Sequence, residues 1–578
     1  MTTEGAKGRQ QPMRSCFLLV CGVVVCGCLA LLAQSTAHAP RTTSAQNPTF
    51  RATSRLVLVD IVVTGRGGQL VRNLKPTDFT VLEDSRPQII AGFAAHSSTD
   101  VTVANSHPPL PEHQFTNYNN PPPGHAITIV LLDMLNTVIE ERAYARQQMI
   151  NFLGSLPPGQ PVALFTLGGN LKMVQGFTQS SEALVAAAKA LLDRNESARL
   201  NTSEEDLENA ESMDAEFTAM MSMGGRQVSP THLAQALENE QEYQIDVRQR
   251  TTLKSLRMLA HAVAGYSGRK NLIWLSSDFP VGFSPDLDQN PFAPNHASYE
   301  EDLHESLGAL SSEQIAVYPI NVRGLASDGM DVSLRSAPSG AQMARGIDRQ
   351  WNTQFAMKDI ANQTGGQAFY NRNNLADEMR EILDEGTNYY TLAYVPKNHE
   401  WNGRYRKIEV KVAVEGAKTR HRSGYYALAE MPRDADAADQ LFAEAMQRTV
   451  PESTRLLMKV QVLPPSGERK SVSIDFAVVP ADLDFADAPD QRKNAVVEFS
   501  AVALDKNWKL AGATSKTIDA NLRLETYRGV LRDGFPGHLD LEVKPGRYIL
   551  RLGVMDRHNQ RIGTLDIPLE VPAGRANN

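Results

Sequence analysis

The middle of the chain, residues 126–428, is predicted to have an α/β fold, because apolar runs and amphipathic helices alternate along it. The runs are near-continuous, as in strands that are buried on both faces of a parallel sheet. The segments on either side show instead the period-two alternation that is typical of half-buried strands. We therefore expect a doubly wound, Rossmann-like sheet with helices on both faces, flanked by a small N-terminal β unit and a C-terminal β-sandwich.

Residues 1–39 are predicted to be a targeting segment that contributes nothing to the fold. Lys7, Arg9 and Arg14 precede an apolar stretch, and small residues follow it. This pattern indicates an export signal, so we expect a periplasmic, outer-envelope or secreted protein of a bacterium. A lipid on Cys28 and an uncleaved anchor remain alternatives, and either would make this segment the protein's contact with a membrane.

The four cysteines all lie inside this targeting segment, at positions 16, 21, 26 and 28. A chain without the segment would have no disulfide, no thiolate nucleophile and no cysteine-ligated zinc. The charge of the whole chain is mildly negative, with 58 Lys and Arg against 66 Asp and Glu and a net charge of −8. No basic face is indicated, and nucleic acid is therefore not an expected partner.

The length of 578 residues is enough for about two to four domains, and shifts in pattern suggest their boundaries. A small N-terminal β unit is predicted at residues 54–95, where Val57, Val59, Ile61 and Val63 share one face of a strand. A linker rich in Pro, His and Asn follows this unit and separates it from the α/β domain.

The α/β domain at residues 126–428 has four strand candidates, which are the segments AITIVLLD, PVALFTL, RKNLIWLSS and EQIAVYPINV. One helix between them is predicted to place Leu253, Leu256 and Val263 on a single buried face. Residues 194–250 interrupt the pattern with an excess of acidic residues. We interpret this stretch as a partly helical insertion.

Two further helices of this domain are predicted from apolar spacing. The first is expected to bury Ile139, Ala143, Ile150 and Leu153. The second is expected to bury Met379 and to begin after a side-chain cap at Asn373 or Asn374.

The chain is predicted to become β-rich again at its end. The segments NYYTLAYVP, RYRKIEVKVAV and HRSGYYAL are strand candidates, and residues 441–572 alternate clearly enough to predict a β-sandwich. A group of tyrosines in these strand candidates has two interpretations, a carbohydrate-binding platform or cross-strand pairs that close a sheet, and the second is favoured. The group consists of Tyr389, Tyr390, Tyr394, Tyr425 and Tyr426.

Oxygen-bearing side chains stand where two predicted strands end. Asp133 ends the run ITIVLLD, and Asn136 and Thr137 follow it closely, while Ser276 and Asp278 end the run NLIWLSSD. Ligands of open α/β sheets lie beyond the carboxyl ends of the strands, where the strand order reverses. Carboxylates and hydroxyls that converge there could bind Mg²⁺ or Ca²⁺.

Six segments, in order, carry a resemblance to a known family: LLDMLNT, GRKNLIWLSSDFP, IAVYPINVRGL, ANQTGGQAFY, YYTLAYVP and HRSGYYAL. Together they resemble the von Willebrand factor A-related domain of secreted acidobacterial proteins. The segment that starts VVTGRGGQLV resembles the small β segment that precedes this domain. The resemblance covers roughly residues 55–430 and implies a von Willebrand factor A fold, whose relatives bind protein ligands through a metal-dependent adhesion site.

The adhesion-site motif of that family, Asp-x-Ser-x-Ser, is only partly matched here. Asp133 and Thr137 fit its first and last positions, but Leu135 stands where the first serine is usual, and Asn136 is one residue out of phase. The resemblance makes Asp278 the late aspartate of the site. Two further positions could add ligands to the site. One is Ser276, and the other is the intervening threonine of the family, which would be Thr252 or its neighbour Thr251.

The alternative needs no cation, because Asp133 could cap the next helix and Asp278 could be an ordinary turn residue. No sequence motif for catalysis is present: the thirteen histidines are scattered, and GYSGRK lacks the last glycine of a nucleophile elbow. We therefore expect a non-enzymatic module that binds a protein ligand, through a degenerate metal-dependent adhesion site with Mg²⁺ or Ca²⁺. The second hypothesis is a metal-independent structural or assembly component of the cell envelope.

Overall fold

The computed structural model describes most of the chain after residue 55, and the described residues belong to one compact unit that spans residues 54–578. The predicted signal segment and residues 194–229 of the predicted insertion lie outside them. The described ranges are 56–97, 110–118, 126–191 without 158, 230–279 without 267, 296–323, 340–371, 374–428, 434–447, 450–466 and 471–572 without 508.

The described residues form strands throughout and helices mainly in the middle of the chain. The strands are β1 (Val57–Thr64), β2 (Phe79–Glu83), β3 (Arg86–Pro87), β4 (Ile90–His96), β5 (Gln114–Thr116), β6 (Ile127–Asp133), β7 (Val162–Leu167), β8 (Leu171–Thr178), β9 (Lys270–Ser276), β10 (Ile315–Asn321), β11 (Tyr389–Tyr394), β12 (Tyr405–Val412), β13 (Lys418–Arg420), β14 (Gly424–Tyr426), β15 (Met458–Leu463), β16 (Val472–Val478), β17 (Ala486–Ala488), β18 (Arg492–Leu504), β19 (Leu510–Leu522), β20 (Phe535–Leu541), β21 (Gly546–Asp556) and β22 (Ile562–Val571). The α-helices are α1 (Ile139–Gly154), α2 (Ser181–Ala190), α3 (Pro230–Ala262), α4 (His296–Ser312), α5 (Gly340–Thr364), α6 (Leu375–Gly386), α7 (Ala435–Ala445) and α8 (Leu524–Asp533). Within the described part of the chain, no helix is long and apolar enough to cross a membrane.

The central sheet contains the four strands that the apolar runs predict. Its order is β10-β9-β6-β7-β8, in which β6, β7, β9 and β10 run parallel and β8 pairs antiparallel with β7. β6 lies in the middle, with β7 and β8 on one side and β9 and β10 on the other. The strand order therefore reverses between β6 and β9, and the side chains at the ends of these two strands meet there.

Helices cover both faces of this sheet, because successive residues of each strand point to opposite sides and both sides are apolar. α3, α4 and α5 pack on one face, and α1, α2 and α6 pack on the other. The mixed α/β class predicted for this part of the chain is therefore the class that the structure has. The contacts that define the two faces come from Leu256, Leu307, Met357 and Trp274 on the first, and from Met149, Leu184, Met379 and Ile273 on the second.

The helix predictions have mixed outcomes. Leu253, Leu256 and Val263 are buried as expected, and the side chain of Asn374 accepts a hydrogen bond from a backbone N–H as the cap of α6. The predicted buried face of α1 is only partly right, because Leu153 is buried and Ile150 is partly buried, but Ile139 is 46% exposed and Ala143 is exposed. Ala145, Met149 and Phe152 complete the buried face of α1.

The N-terminal β segment shares a core with strands from much later in the chain. β1 and β4 pair with β11, and β2 pairs with β12, all antiparallel. Two four-stranded sheets result, β13-β1-β11-β4 and β14-β12-β2-β3, and their inner residues form one apolar cluster. The boundaries predicted for this unit stay a prediction, but its strands are completed by residues 389–426.

A buried carboxylate links the two sheets of this cluster. Glu83 is 2% exposed, and its Oε2 accepts hydrogen bonds from the hydroxyls of Tyr394 at 2.8 Å and Tyr425 at 2.9 Å. The guanidinium of Arg406, also 2% exposed, lies 3.5 Å from Oε1 of Glu83. All five tyrosines of the predicted group are at most 9% exposed, so they close the sheets and offer no carbohydrate platform.

The C-terminal strands form two antiparallel sheets around one core, in agreement with the predicted sandwich. One sheet has the order β20-β16-β15-β5, and the other has β17-β18-β21-β22 with β19 paired to β18. The short strand β5 comes from the Pro-rich linker before the α/β domain, and pairs with β15. The linker therefore contributes backbone hydrogen bonds to the C-terminal part of the fold.

The segment that joins α7 to β15 is held by the sandwich through buried polar groups. Oε1 of Glu452 accepts a hydrogen bond from the backbone N–H of Asp566 at 2.7 Å, and the carboxylate of Asp566 accepts one from Arg551 at 2.8 Å. Burial raises the pKa of Glu452 from 4.5 to about 7, and the nearby charge of Asp566 adds to the rise.

We expect Glu452→Gln to stabilise the protein above neutral pH, because glutamine retains the acceptor for the N–H of Asp566 and carries no charge. A carboxyl whose pKa is raised on folding binds a proton that the unfolded chain releases, so wild-type stability falls as pH rises from about 4.5 to about 7. The variant should gain about 1 to 3 kcal/mol at pH 8 and little at pH 4. Urea unfolding at both pH values measures this, and an equal gain at both would contradict it.

Candidate functional site at the carboxyl edge of the central sheet

The candidate site lies where the strand order reverses, at the ends of β6 and β9. Asp133 is the last residue of β6 and is fully buried. Ser276 ends β9, the parallel neighbour of β6. The two predicted strand ends are therefore adjacent, as the sequence analysis expects.

Four N–H groups donate hydrogen bonds to the carboxylate of Asp133. Its Oδ1 accepts from the backbone of Leu135 at 3.0 Å and of Asn136 at 2.9 Å. Its Oδ2 accepts from the side-chain amide of Asn136 at 2.8 Å and from the indole of Trp274 at 2.9 Å. Two acceptor interactions at each oxygen use the usual hydrogen-bonding capacity of a carboxylate.

Burial and hydrogen bonding act in opposite directions on Asp133. Desolvation is the larger effect and raises the pKa of its carboxyl from 3.8 to about 6. The four hydrogen bonds lower that pKa, because they stabilise the charged form. A buried carboxylate is costly unless it is hydrogen-bonded, and here the donors come from the loop after β6 and from β9.

The side chain of Asn136 extends this network to a helix. Its Nδ2 donates to Oγ1 of Thr252 on α3 at 3.0 Å as well as to Asp133, so the amide bridges a strand and a helix. Oγ1 of Thr252 in turn donates to the carbonyl of Arg248 at 2.7 Å. Among the described residues, Oδ1 of Asn136 is buried without a hydrogen-bond partner.

The loop that carries these groups is tied down along its length. The backbone N–H groups of Met134 and Leu135 donate to the carbonyl of Leu167 at 2.7 and 3.0 Å. Arg142 of α1 donates back to the carbonyls of Met134 at 2.6 Å and of Thr137 at 3.0 Å. These bonds satisfy backbone groups just before a helix, so the loop is organised without a ligand.

Leu135 explains why the adhesion-site motif is incomplete. Its side chain is 1% exposed and belongs to the apolar core on the α3 face of the sheet. A serine at this position would bring a hydroxyl into that core and remove apolar contacts. The residue that departs from the motif is therefore part of the packing.

The other predicted site residues lie near Asp133 but do not join its hydrogen bonds. Oδ1 of Asp278 accepts from the backbone of Phe279 at 2.9 Å and from the hydroxyl of Thr353 on α5 at 3.2 Å. The hydroxyl of Ser276 donates to the carbonyl of Asp278 at 2.7 Å. Thr137 is fully buried, and its carbonyl accepts from Arg142.

The residues present do not fit a divalent cation well. A cation bound to Asp133 would have to displace the amide of Asn136 or the indole of Trp274, because these N–H groups occupy the carboxylate oxygen that faces Thr252 and β9. Asp278 is engaged by α5, and no group of three or more His, Cys, Asp or Glu among the described residues could hold a metal. The metal site remains a prediction of the sequence that titration can test.

Trp274 is the functional-site residue that sequence reasoning missed. It lies inside the apolar run NLIWLSS, where an indole is an ordinary core residue, and it is fully buried. Its ring packs edge-on against Phe279 with centroids 4.9 Å apart. One available signal was that a buried tryptophan N–H needs an acceptor, but the sequence alone does not say which acceptor lies beside it.

Two large aromatic side chains are exposed on the helix that contacts Asp278. Trp351 is 69% exposed and Phe355 is 54% exposed, and both belong to α5. They are four residues apart, so they share one face of that helix. Thr353, which donates to Asp278, lies between them in the chain. Aromatic residues are enriched in protein–protein interfaces, so two exposed aromatic side chains on one helix face are a candidate contact surface.

Comparison with known proteins finds similarity only at the level of solved structures. No protein-family model matches the chain, and no curated protein matches it. An aerotolerance-related membrane protein from Bacteroides fragilis is 8% identical with a TM-score of 0.23, over 45% of this chain and 98% of that chain. BatB from Bacteroides thetaiotaomicron is 10% identical with a TM-score of 0.21, over 45% and 98%. A von Willebrand factor type A protein from Catenulispora acidiphila is 9% identical with a TM-score of 0.22, over 78% and 67%. At these identities and TM-scores, the similarity does not indicate a function for this chain.

We expect Asp133→Ala to destabilise the protein by about 2 to 4 kcal/mol, because it removes the acceptor of four buried N–H groups, of which only the backbone N–H of Leu135 has a second acceptor, the carbonyl of Leu167. Asp278→Ala is the matched control: it removes a carboxylate at the neighbouring strand end that is only partly buried, and should cost less than about 1 kcal/mol. Urea unfolding of both variants measures the difference. Equal costs would mean that the network around Asp133 does not stabilise the fold.

Proposed function

We propose that this protein is a non-enzymatic protein-interaction module that binds its partner at the carboxyl edge of the central sheet without a cation. The observation that carries the proposal is that hydrogen bonds from within the chain already occupy the carboxylate of Asp133. A carboxylate in this state supports the local structure and has no oxygen to offer a metal or a substrate.

The partner contacts would come from the exposed aromatic residues of the helix that packs beside this edge. Trp351 and Phe355 are on α5, whose Thr353 donates to Asp278. Thr353 is two residues from each of them, so the two aromatic side chains lie on the outer side of α5, opposite its contact with the candidate site. Tryptophan is enriched among the residues that contribute most to protein–protein binding. In this proposal the Asp133 network keeps the edge rigid, and the two aromatic side chains make the contact.

We also propose that the module acts outside the cytoplasm. The N-terminal export signal predicted from the sequence would place the module in the bacterial envelope or outside the cell, where it would meet a protein partner. Membrane contact would be confined to that N-terminal segment if it were kept or lipidated. A metal-independent assembly role in the envelope is a form of the same function in which the partner is another envelope protein.

We expect calorimetric titration of Mg²⁺, Ca²⁺ and Mn²⁺ into the full chain to give no saturable binding up to millimolar concentrations. The reason is that a cation would have to break the hydrogen bonds of Asn136 and Trp274 to reach Asp133. Saturable binding at one site that is lost in both Asp133→Ala and Asp278→Ala would contradict the cation-free proposal and support the degenerate adhesion site.

The docking surface can be tested with peptides selected from a displayed random library against the full chain. We expect Trp351→Ala and Phe355→Ala each to weaken the selected peptides by about 2 kcal/mol, or roughly thirtyfold. Leu510→Ala is the matched control, since Leu510 is 66% exposed on the C-terminal sandwich. Binding that is unchanged in both aromatic variants would place the interaction elsewhere and overturn the proposed surface.

A further inference from the structure

A small cavity lies at the edge of the central sheet opposite to Asp133, where β9 and β10 begin. Its volume is about 20 Å³, which is enough for one particle of the size of a water molecule. The walls come from β1, from the ends of α4 and α5, and from residues just before β9 and β14. Three of the lining residues are charged, and they are Asp60, Arg269 and Arg422.

Arg269 is buried without a carboxylate beside it. Its side chain is 2% exposed, and its Nη2 donates to the hydroxyl of Tyr318 at 3.1 Å and to the carbonyl of Gly365 at 2.8 Å. These acceptors are neutral, and no Asp or Glu in the described part of the chain forms an ion pair with Arg269. A guanidinium does not lose its proton in a protein, so its full charge stays buried here. Buried charges are costly unless they are paired.

Arg422 is a second cation of the lining that has no acidic partner among the described residues. Its Nη2 donates to the carbonyl of Leu58 on β1 at 2.9 Å, and its guanidinium lies 5.6 Å from the ring centre of Tyr425. Its Nε is buried, and no described residue accepts a hydrogen bond from it. A buried N–H without an acceptor is costly, so Arg422 lacks an acceptor that a ligand of the cavity could supply.

The one carboxylate of the lining does not cancel these charges. Asp60 is 9% exposed, and its oxygens accept from the hydroxyl of Thr391 at 2.6 Å and from Nε2 of Gln314 at 3.2 Å. Within the described residues it forms no ion pair with either arginine. Two cations and one anion leave the lining with a net charge of +1.

The next residue along the chain adds to this surplus of positive charge. Lys270 is 2% exposed, and its Nζ donates to the backbone carbonyls of Gly268 at 3.0 Å and Glu313 at 2.7 Å. Burial lowers its pKa from 10.5 to about 8, although the charges of Glu313 and Asp60 act to raise it. Lys270 is therefore still mostly charged at neutral pH, and the carboxylate of Glu313 is paired with Arg455 at 3.9 Å.

We propose that this cavity binds a single chloride ion between Arg269 and Arg422. The ion would neutralise the surplus charge of the lining and give Nε of Arg422 an acceptor. Chloride is only slightly larger than a water molecule, whereas a carboxylate ligand or phosphate has no room in about 20 Å³.

The bound chloride would join the N-terminal β segment to the central sheet, because Arg422 donates to β1 and Arg269 lies directly before β9. The site does not depend on the proposed protein-binding surface, since its lining lies at the opposite edge of the central sheet.

Urea unfolding of the full chain in sodium chloride and in sodium gluconate of equal ionic strength tests the site, because gluconate is too large for the cavity. The midpoint should rise with chloride and level off, relative to gluconate. Bromide should replace chloride, and its anomalous X-ray scattering should place one ion between Arg269 and Arg422. Equal midpoints in the two salts, or a crystal grown in bromide that holds only a water molecule there, would each overturn the proposal.

Ser311→Asp and Ser312→Asp form a matched pair at the end of α4. Ser311 lines the cavity, whereas Ser312 is exposed and lies outside the lining. Both variants place a carboxylate at the same helix end, so both have a similar unfavourable interaction with the helix dipole. Ser311→Asp supplies an internal anion and should abolish the chloride dependence of the midpoint, and Ser312→Asp should keep it.

Arg422→Gln should raise the chloride concentration that gives half of the midpoint shift by at least about tenfold. Arg404→Gln is its matched control, because it removes an exposed positive charge outside the lining and should leave that concentration unchanged. A cooperative urea transition establishes that each variant is folded. The wild-type chloride dependence in both folded cavity variants, Ser311→Asp and Arg422→Gln, would overturn the proposal.

Discussion

The saturated carboxylate of Asp133 is the interaction on which the candidate site depends. A buried charge must be hydrogen-bonded, and the donors that meet this need come from the loop after β6 and from Trp274 of β9. Asn136 extends the network to Thr252 of α3. The hydrogen bonds of Asp133 and Asn136 thus connect β6 and β9, where the strand order reverses, to α3 on one face of the sheet.

The need to hydrogen-bond the buried carboxylate divides the side chains near this edge of the sheet into those that support the structure and those that remain available for contacts. The carboxylate oxygens of Asp133, which would have to bind a cation, accept hydrogen bonds from within the chain. The aromatic side chains of α5, in contrast, remain exposed.

Buried charged side chains also connect distant segments of the chain elsewhere in the fold. The Glu83 carboxylate accepts from Tyr394 and Tyr425 of strands far later in the chain, and Arg551 donates to Asp566 and to the carbonyl of Val450 before β15. No cysteine lies in the described part of the chain, so these contacts and the apolar cores hold distant segments together without disulfides. Such groups are costly if one partner is lost, because the remaining polar group is then buried without a hydrogen bond.

Local sequence patterns were enough to predict the four parallel strands of the central sheet, the buried faces of α3 and α6, the side-chain cap at Asn374 and the C-terminal sandwich, because each depends on periodicity or on a hydrogen bond within a few residues. They also placed Asp133 and Ser276 at adjacent strand ends. They were only partly right for α1, where Leu153 is buried but Ile139 is exposed, because tertiary contacts decide which of its apolar residues are covered. Only the tertiary structure decided that Trp274 donates to Asp133, that β1 pairs with β11, and that a small cavity lies between β1 and the start of β9, because each of these brings together residues that are distant in sequence. The hydrogen bond from Asn136 to Asp133 is local, but it forms only in one side-chain conformation, which the tertiary structure also decided.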